Sequence, residues 1–358
     1  MVTEPRELLR ATGLRYMSDD RPGVSRKRRG KGFSYHGPGG EKLDEPDVIQ
    51  RINSLAIPPA YRDVWICPDP RGHLQATGRD ERGRKQYIYH PQWQELRERD
   101  KFDRLLNFAQ VLPKIRRRVR KDLQLEGMPR ERVLAAVVRL LESTLARVGN
   151  AGYARENGSF GLTTIRKKHV EVEDGAVVFE FRGKGGQDWH VETEDQRIAE
   201  VVRQCVEIPG YELFKYIDEE GTKRDVESGD VNDYLRSVTK EDITAKDFRT
   251  WSGTVLCAEA LADCQHENER QAKKNVVAAV KSVAAVLGNT PTVCRKSYVH
   301  PVIIDSYLEG TLAQRIKGIG MNGAAAPAGL RGSEAAIWHV LKELSLKELS
   351  LKELGDNA

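Results

Sequence analysis

Tyr298 is the residue of this sequence whose surroundings point most directly to chemistry. It follows the cations Arg295 and Lys296 in a strongly basic run near the carboxy end of the chain. A phenol has an ordinary pKa of about 10 and is a poor nucleophile unless neighbouring groups stabilise its phenolate. A nucleophilic tyrosine at this position therefore requires further cations and proton donors from elsewhere in the chain.

Three cations in other parts of the sequence could serve this tyrosine. Arg147 follows a long helical pattern, Lys184 has a glycine on each side, and Arg249 lies between Phe248 and Thr250. Considered one at a time, each of them is an ordinary surface residue. They can act on Tyr298 only if the helices and strands that carry them bring them close to it.

The composition is that of a globular protein that acts inside the cell. The chain has 358 residues, which suggests two domains, and 39% of its residues are apolar. No run of about 18 apolar residues could span a bilayer, and the amino terminus lacks the apolar segment of a signal peptide. We therefore expect a cytoplasmic protein without a membrane function. Five scattered cysteines without a CxxC pair predict neither a disulfide framework nor a metal site.

The basic residues are unevenly placed, although the net charge is only +5. Residues 21–31 and residues 114–121 each form a block of arginine and lysine that contains no acid. Such blocks suit a polyanion. The alternatives for each block are a flexible basic arm or a solvated helix face.

The first segment, residues 1–98, is predicted to be a small β-rich domain. Residues 1–35 within it are basic and expected to be partly flexible. A period of two residues places Tyr87 and Tyr89 on one face of a basic hairpin, where they are either packed or able to meet nucleotides. The strand patterns are Val64–Cys67, His73–Thr77 and Lys85–Tyr89.

The second segment, residues 99–322, is predicted to be a larger, mainly α-helical catalytic domain that contains a β-hairpin with Lys184 at its tip. Residues 323–358 are predicted to be a linker and a low-complexity tail, loosely helical or disordered, without a catalytic residue. The fold class is therefore α+β. The helical patterns run from Glu131 to Arg147, from Ala245 to Ala262 and from Ala272 to Leu287, and the strand before the hairpin tip covers Ala176–Arg182.

The order of these residue types resembles a known catalytic set. An arginine, a hairpin lysine, a second arginine, an asparagine and a tyrosine occur in this order in type IB DNA topoisomerases, especially the compact bacterial and poxvirus kind. The resemblance covers residues 40–318 and includes the runs 83–89 and 153–164. It implies the fold of the tyrosine recombinase and topoisomerase IB type, and a DNA-relaxing enzyme that needs no ATP, metal or other cofactor. The catalytic residues that it implies are Arg147, Lys184, Arg249, Asn289 and Tyr298.

The residue types fit the chemistry that the resemblance implies. In-line attack of Tyr298 on a phosphodiester places charge on the non-bridging oxygens, where the forks of Arg147 and Arg249 match a phosphate. Lys184 can reach the departing 5′ oxygen and donate a proton, as a general acid. The tyrosine would become linked to the 3′ phosphate, the cut duplex could rotate, and the freed 5′ hydroxyl could reseal the strand.

Asn289 departs from one branch of the family, because poxvirus and eukaryotic relatives have histidine at this place. An amide can donate a hydrogen bond to a phosphate oxygen, but it cannot take up a proton. We therefore expect Asn289 to position the phosphate, which leaves the acceptor of the Tyr298 proton unidentified. His300 is near in sequence, but two residues along a helix would point it away from Tyr298.

The resemblance also implies double-stranded DNA as the partner. A monomer would close around the duplex as a clamp, held mainly by phosphate contacts and therefore weakened by salt. Such an enzyme would be bacterial and associated with the nucleoid. The residues that it assigns to DNA binding are Gln86, Tyr87, Tyr89, Asn150, Tyr153, Thr164 and Lys246.

Two alternatives stay open at this point. A tyrosine site-specific recombinase shares the catalytic fold and chemistry, but recombinases usually have histidine where this chain has Lys246, and their amino-terminal domain is typically helical. A non-catalytic DNA-binding clamp would need only the basic surface. If the protein were such a clamp, the occurrence of five catalytic residue types in the family's order would be a coincidence.

Overall fold

The structure, a computed structural model, describes residues 9, 12–30, 32–81, 83–173, 175–317 and 325–355. It divides the chain into two compact units, Met1–Lys101 and Phe102–Ala358. The sequence patterns had placed the boundary at residue 98. The second unit also contains the residues that were predicted to form a linker and tail.

The first unit is built on a five-stranded antiparallel sheet, which confirms the predicted β-rich domain. Its order is β2-β1-β3-β4-β5. One helix, α1 (Pro46–Ser54), packs on the sheet through Ile52, which shares a core with Val24, Val64, Ile66 and Ala76. The strands are β1 (Val24–Arg29), β2 (Gly32–His36), β3 (Arg62–Ile66), β4 (Leu74–Arg79) and β5 (Lys85–Tyr89).

Part of the first basic block belongs to the sheet, while the partial flexibility expected for residues 1–35 stays a prediction. Residues Val24–Arg29 form β1, which pairs with both β2 and β3. Arg26 donates hydrogen bonds to the carbonyls of Ile57, Pro58 and Tyr61, so its charge is used inside the fold. Residues 27–29 remain exposed. Residues 1–8, 10, 11 and 31 of this segment lie outside the described residues.

The second unit is mainly helical. Helix α3 lies at its centre, since the side chains of residues 132–138 are all buried. Helix α7 is buried through Phe248, Trp251 and Leu261. The helices are α2 (Pro91–Asp122), which begins in the first unit, α3 (Arg130–Thr144), α4 (Ala151–Asn157), α5 (Gln196–Glu207), α6 (Ser228–Thr239), α7 (Ala245–Ala262), α8 (Glu269–Val286), α9 (Pro291–Tyr298), α10 (Pro301–Leu308), α11 (Leu312–Lys317) and α12 (Gly332–Gly355).

Two small antiparallel sheets accompany these helices. Strands β6 (Val170–Glu173), β7 (Ala176–Arg182) and β8 (Asp188–Thr193) form one in the order β6-β7-β8, and β9 (Lys215–Ile217) pairs with β10 (Lys223–Asp225). The turn between β7 and β8 carries Lys184, so the predicted hairpin tip is confirmed. Of the described helices, none is by itself long and apolar enough to cross a membrane. By length and composition alone the pair α8 and α9 would be, but it is bent by 91°.

Helix α3 ends earlier than its apolar pattern predicted. The pattern continues to Arg147, but the last helical residue is Thr144 and Leu145 adopts the left-handed conformation at φ 57°. A left-handed residue cannot continue a right-handed helix. Arg147 therefore lies in the loop after the helix, and this loop faces the candidate site described below.

The predicted tail is wrong for residues 332–343, because the first half of α12 belongs to the core of the second unit. Ile337, Trp338, Val340 and Leu341 are buried there. Glu334 is also buried and accepts two hydrogen bonds from Arg116 of α2, at 2.8 and 2.6 Å. Arg116 also donates to Glu142 of α3 at 2.8 Å. One residue of the second basic block is thus used to join α2, α3 and α12.

Replacing Trp338 with alanine should destabilise the protein by about 3 kcal/mol, because it removes a buried indole from this core. Chemical denaturation of both proteins would measure the difference in the free energy of unfolding. Val277→Ala is the matched control, since Val277 of α8 is 61% exposed. A change of less than about 0.5 kcal/mol for Trp338→Ala, the range of ordinary surface substitutions, would show that α12 is a dispensable extension.

Candidate active site

Arg249 is a buried cation that is held by the ends of two helices. It is the fifth residue of α7, and only 3% of its surface is exposed. Its Nη1 donates to the carbonyl of Leu145, and its Nη2 donates to the carbonyl of Leu287 at 2.5 Å. These residues cap the carboxy ends of α3 and α8. The negative end of a helix dipole favours a cation, so both caps offset part of the cost of burying this charge.

Arg147 is fixed by the turn that follows α8. Its Nη2 donates to the carbonyl of Gly288 at 2.9 Å and to Oδ1 of Asn289 at 2.5 Å. The turn is a Schellman motif, in which the amides of Gly288 and Asn289 donate to Ala285 and Ala284. The motif needs a left-handed residue after the helix cap, and Gly288 has φ 58°. The turn that ends α8 thus also positions the two oxygens that accept hydrogen bonds from Arg147.

The backbone around Arg147 is held by a second segment that packs closely against it. Leu162 donates to the carbonyl of Arg147 at 2.9 Å, and Thr163 donates to that of Val148 at 2.7 Å. A methyl group on Gly161 would lie 2.6 Å from the Arg147 oxygen, which is closer than real side chains approach. Only glycine therefore permits this approach.

Three buried donors at this site have no hydrogen-bond partner among the described residues. They are Nη1 of Arg147, Nε of Arg249 and Nδ2 of Asn289. Burial lowers the pKa of both arginines, and the charge of Arg147 lowers the pKa of Arg249 further. Because buried donors are normally paired, two like charges with unused donors form a site for an anion. A phosphate matches the guanidinium fork.

Tyr298 lies beside these arginines as the last residue of α9. The short helix begins at a Thr290 cap, whose hydroxyl accepts from Val293, and has proline in its first turn. The Tyr298 ring centroid is 5.2 Å from Cζ of Arg249. A cation at this distance over the ring is attracted to it, and it would stabilise a phenolate more strongly.

Helix α7 also supplies the surface on which Tyr298 rests. A methyl group on Gly253 would lie 2.6 Å from the Tyr298 carbonyl oxygen and 3.2 Å from its Cβ. Thr254 Oγ1 accepts from the amide of His300 at 3.1 Å and lies 3.4 Å from the same carbonyl oxygen. A glycine inside a helix therefore allows the end of α9 to approach α7.

Lys184 approaches from the tip of the β7–β8 hairpin. It is exposed, and the two following glycines have positive φ angles of 82° and 78°. Its Nζ is 5.9 Å from the ring centroid of Tyr153. The base of the tip is tied down by the amide of Phe160, which donates to the carbonyl of Arg182 at 2.8 Å.

These groups surround a cavity of about 460 Å³. It contains the four charged or phenolic groups that the sequence analysis selected, with Asn289 behind Arg147. None of the described residues that line it is a carboxylate, so the cavity wall is cationic. The lining residues are Arg147, Val148, Gly149, Asn150, Tyr153, Ser159, Phe160, Lys184, Ala245, Lys246, Arg249 and Tyr298.

Three of the predicted DNA-binding residues of this unit line the cavity, and one does not. Asn150 caps α4 and accepts from the amide of Tyr153 at 3.0 Å, and Lys246 is exposed in the first turn of α7. Thr164 is only 8% exposed, and its hydroxyl is bonded to the backbone of Gly161. A direct role for Thr164 in gripping DNA stays a prediction, while its structural role is to hold the loop beside Arg147.

The remaining predicted DNA-binding residues lie on β5 of the first unit. Tyr87 is 49% exposed and stacks on Tyr89, with ring centroids 6.1 Å apart, so the shared face is confirmed. Tyr89 is half-buried and packs against Trp93, and burial raises its pKa. Gln86 donates to Asp80 at 3.0 Å. Tyr89 is therefore a packed residue. Tyr87, in contrast, leaves about half of its surface open to contact with a ligand.

The sequence analysis missed the residues that bring the site together. Phe160 and Ser159 line the cavity, while Gly161 and Gly253 permit close backbone contacts. Only Gly253 carried a local signal, as a glycine inside a helical pattern. His300 caps α10 through Nδ1, which accepts from Val302 at 3.2 Å, and its ring contacts Phe102. This cap role agrees with its exclusion as the base.

Comparisons with known proteins agree with this geometry. A family model described as eukaryotic DNA topoisomerase I, catalytic core, matches residues 90–316, and one described as bacterial DNA topoisomerase IB, N-terminal domain, matches residues 32–80. DNA topoisomerase 1B of Acanthamoeba polyphaga mimivirus is 33% identical over 294 residues, which are 80% of this chain and 87% of that protein. The chain belongs to the type IB DNA topoisomerases. The cavity that contains Tyr298 lies within the match to the catalytic core.

More distant viral topoisomerases are similar over most of their length. DNA topoisomerase 1B of vaccinia virus strain Copenhagen is 23% identical over 272 residues, covering 73% of this chain and 82% of the viral protein. DNA topoisomerase 1 of rabbit fibroma virus is 21% identical over 264 residues, covering 71% and 80%. The protein is therefore an enzyme of DNA topology. Neither the recombinase nor the non-catalytic clamp is the family that the comparisons identify.

Gly253→Ala should slow DNA relaxation by this topoisomerase by about a hundredfold, because a displacement of the reacting group by about 1 Å has an effect of this size. The added methyl would push the end of α9, and with it Tyr298, away from Arg249. Relaxation of supercoiled plasmid under enzyme-limiting conditions measures the rate. Gly229→Ala is the matched control, since nothing lies within 4 Å of a methyl group added on α6. Equal relaxation rates for Gly253→Ala and Gly229→Ala would contradict the close packing of Tyr298 on Gly253.

Proposed function

We propose that this topoisomerase relaxes supercoiled DNA by cutting one strand through a covalent link between Tyr298 and the 3′ phosphate, without ATP or metal. The observation that carries the proposal is the set of three unpartnered donors on Arg147, Arg249 and Asn289 next to a tyrosine. A scissile phosphate in the cavity would accept from these donors and would neutralise part of the repulsion between the two guanidinium groups.

In the cleavage step, the Tyr298 oxygen forms a bond to phosphorus while the bond from phosphorus to the 5′ oxygen breaks. The arginines and Asn289 stabilise the charge that develops on the non-bridging oxygens. Lys184 supplies a proton to the departing 5′ oxygen. Tyr298 is half-buried, and its proton passes to water, since the Asn289 amide cannot take it.

The phosphotyrosine conserves the energy of the broken phosphodiester, so ATP is not needed for resealing. While the link exists, the 5′ end is free to rotate about the intact strand and release supercoils. The 5′ hydroxyl then attacks the phosphorus, its proton returns to Lys184, and Tyr298 leaves. The cations of the cavity replace a metal ion in both directions, because guanidinium groups stay charged at any working pH.

A monomer would grip the duplex through phosphate contacts from both units. The exposed cations Lys184 and Lys246 and the exposed ring of Tyr87 support this proposal. The match of residues 32–80 to a bacterial amino-terminal domain supports a bacterial origin. In a bacterium, such an enzyme would act on the chromosome in the cytoplasm. Binding through phosphates should weaken steeply as salt rises.

Supercoiled plasmid should be relaxed by the purified protein in EDTA and without ATP. The topoisomers should be separated by single linking numbers, because one strand is cut and the other is left intact. Gel electrophoresis of a time course resolves them. Relaxation that depends on added magnesium or ATP would show that the cationic cavity does not suffice for the chemistry.

Tyr298→Phe should abolish relaxation and the covalent adduct, because it removes only the attacking oxygen. Denaturing gels of end-labelled DNA detect the adduct, and filter binding measures DNA affinity, which should change less than about threefold if most affinity comes from the phosphate contacts. Tyr307→Phe is the matched control for loss of a buried hydroxyl, which in Tyr307 accepts from Asn275. An adduct formed by Tyr298→Phe would mean that another residue is the nucleophile.

A further inference from the structure

Trp189 is wedged against the base of the hairpin tip. It is the second residue of β8, directly across the hairpin from Phe181, and the two rings lie parallel with centroids 6.1 Å apart. A methyl group on Gly183 would lie 2.6 Å from Cδ1 and from Nε1 of Trp189. The indole therefore lies directly against the residue that precedes Lys184.

The opposite edge of the same indole contacts the turn after α8. A methyl group on Gly288 would lie 2.7 Å from Cζ2 and 3.2 Å from Cε2 of Trp189. The carbonyl oxygen of Gly288 accepts a hydrogen bond from Arg147, and Gly288 precedes Asn289. One flat side chain thus fills the space between two glycines, one beside the proposed proton donor and the other beside the phosphate-binding groups.

The contact matters because the hydrogen bonds within the tip, from Gly183 to Gln187 and from Gly186 to Gly183, do not join it to the turn after α8. Residues 183–187 include three glycines, and the Lys184 side chain is exposed. Glycine has many accessible backbone conformations, so fixing such a tip in one position has an entropic cost. The hydrogen bond from Phe160 to Arg182 holds the base of the hairpin, whereas Trp189 joins its tip to the catalytic turn.

We propose that Trp189 is a positioning residue, which docks the Lys184 hairpin on the Gly288–Asn289 turn so that the lysine reaches the 5′ oxygen. The inference rests on the proposed role of Lys184 as the general acid. Trp189 itself touches neither the phosphate groups nor Tyr298, and it acts by limiting where the tip can go. Its loss should impair proton donation while phosphate binding by Arg147 and Arg249 continues.

The test compares two DNA substrates that differ only in the leaving atom. A cleavage site is first mapped with the unaltered protein, and duplexes are then made with oxygen or with sulfur at the bridging 5′ position. A thiol has a pKa of about 8.5, so a thiolate leaves without a proton from the enzyme. Single-turnover cleavage rates with each duplex separate loss of the proton donor from loss of phosphate stabilisation.

Lys184→Ala establishes the reference for this comparison. It should cleave the oxygen substrate about a hundredfold more slowly, the size expected of a general acid, and should cleave the sulfur substrate at nearly the rate of the unaltered protein. Arg147→Ala should be slow on both substrates. If sulfur fails to restore Lys184→Ala, the proposed proton donor is wrong and the role of Trp189 falls with it.

Trp189→Ala should show the same pattern of cleavage rates as Lys184→Ala, with a smaller loss on the oxygen substrate. We expect about a tenfold loss on the oxygen substrate, part of what a general acid contributes, and cleavage of the sulfur substrate within about threefold of the unaltered protein. Trp189→Phe, which keeps an aromatic ring, should recover most of the rate on oxygen. Val191→Ala is the matched control, because Val191 lies on the same face of β8 and packs on the core without reaching the tip.

Gly183→Ala provides a second variant that leaves Trp189 in place. Gly183 has φ −91°, which alanine adopts without strain, so the methyl acts mainly by displacing the indole. It should show the same preference for sulfur, and it should add nothing to the defect when combined with Trp189→Ala. Equal losses of cleavage rate on both substrates, or no loss of rate on the oxygen substrate, would overturn the proposal. Either result would show that Trp189 does not act through Lys184.

Discussion

The structure of this topoisomerase depends on the burial of two guanidinium groups beside each other. Removing a charge from water costs several kcal/mol, and two like charges add repulsion. The carbonyls of Leu145, Leu287 and Gly288 offset part of that cost, since each lies at the carboxy end of a helix. The offset is incomplete, because buried donors on Arg147, Arg249 and Asn289 have no partner among the described residues. Under the proposed function, the scissile phosphate would supply the negative charge that these groups lack.

This constraint explains why helix ends, and not helix faces, build the site. Helix α3 stops at a left-handed Leu145, and α8 stops in a Schellman motif at Gly288. Helix α7 carries Arg249, which donates to both of these helix ends. It also carries Gly253, against which Tyr298 packs. Phosphate binding and the nucleophile therefore share one rigid support, which is what in-line attack requires. Lys184 differs from these groups, because it lies on a glycine-rich hairpin tip and not at a helix end.

The sequence predicted well those features that are encoded locally. The limits of α7 and the β7–β8 hairpin follow from periodicity, and the family resemblance selected four residues that the structure brings to one cavity. It did not predict what holds them. Arg249 binds a carbonyl that is 104 residues away in the chain, and Trp189 meets Gly288 across the fold. The packing of α12 around Trp338 was not predicted, because the five-residue repeat of residues 341–355 does not match the helical period and forms no continuous apolar face.

Asn289 gives this site a property that the usual histidine would not. Its Oδ1 accepts from Arg147, and its buried amide nitrogen, which can only donate, has no partner among the described residues. An amide is neutral at every working pH, whereas a histidine changes charge near neutrality. The guanidinium groups remain charged even though burial lowers their pKa. The electrostatic affinity of the three groups for phosphate is therefore constant across neutral pH. Under the proposed function, a pH dependence of cleavage would therefore not come from the groups that hold the phosphate.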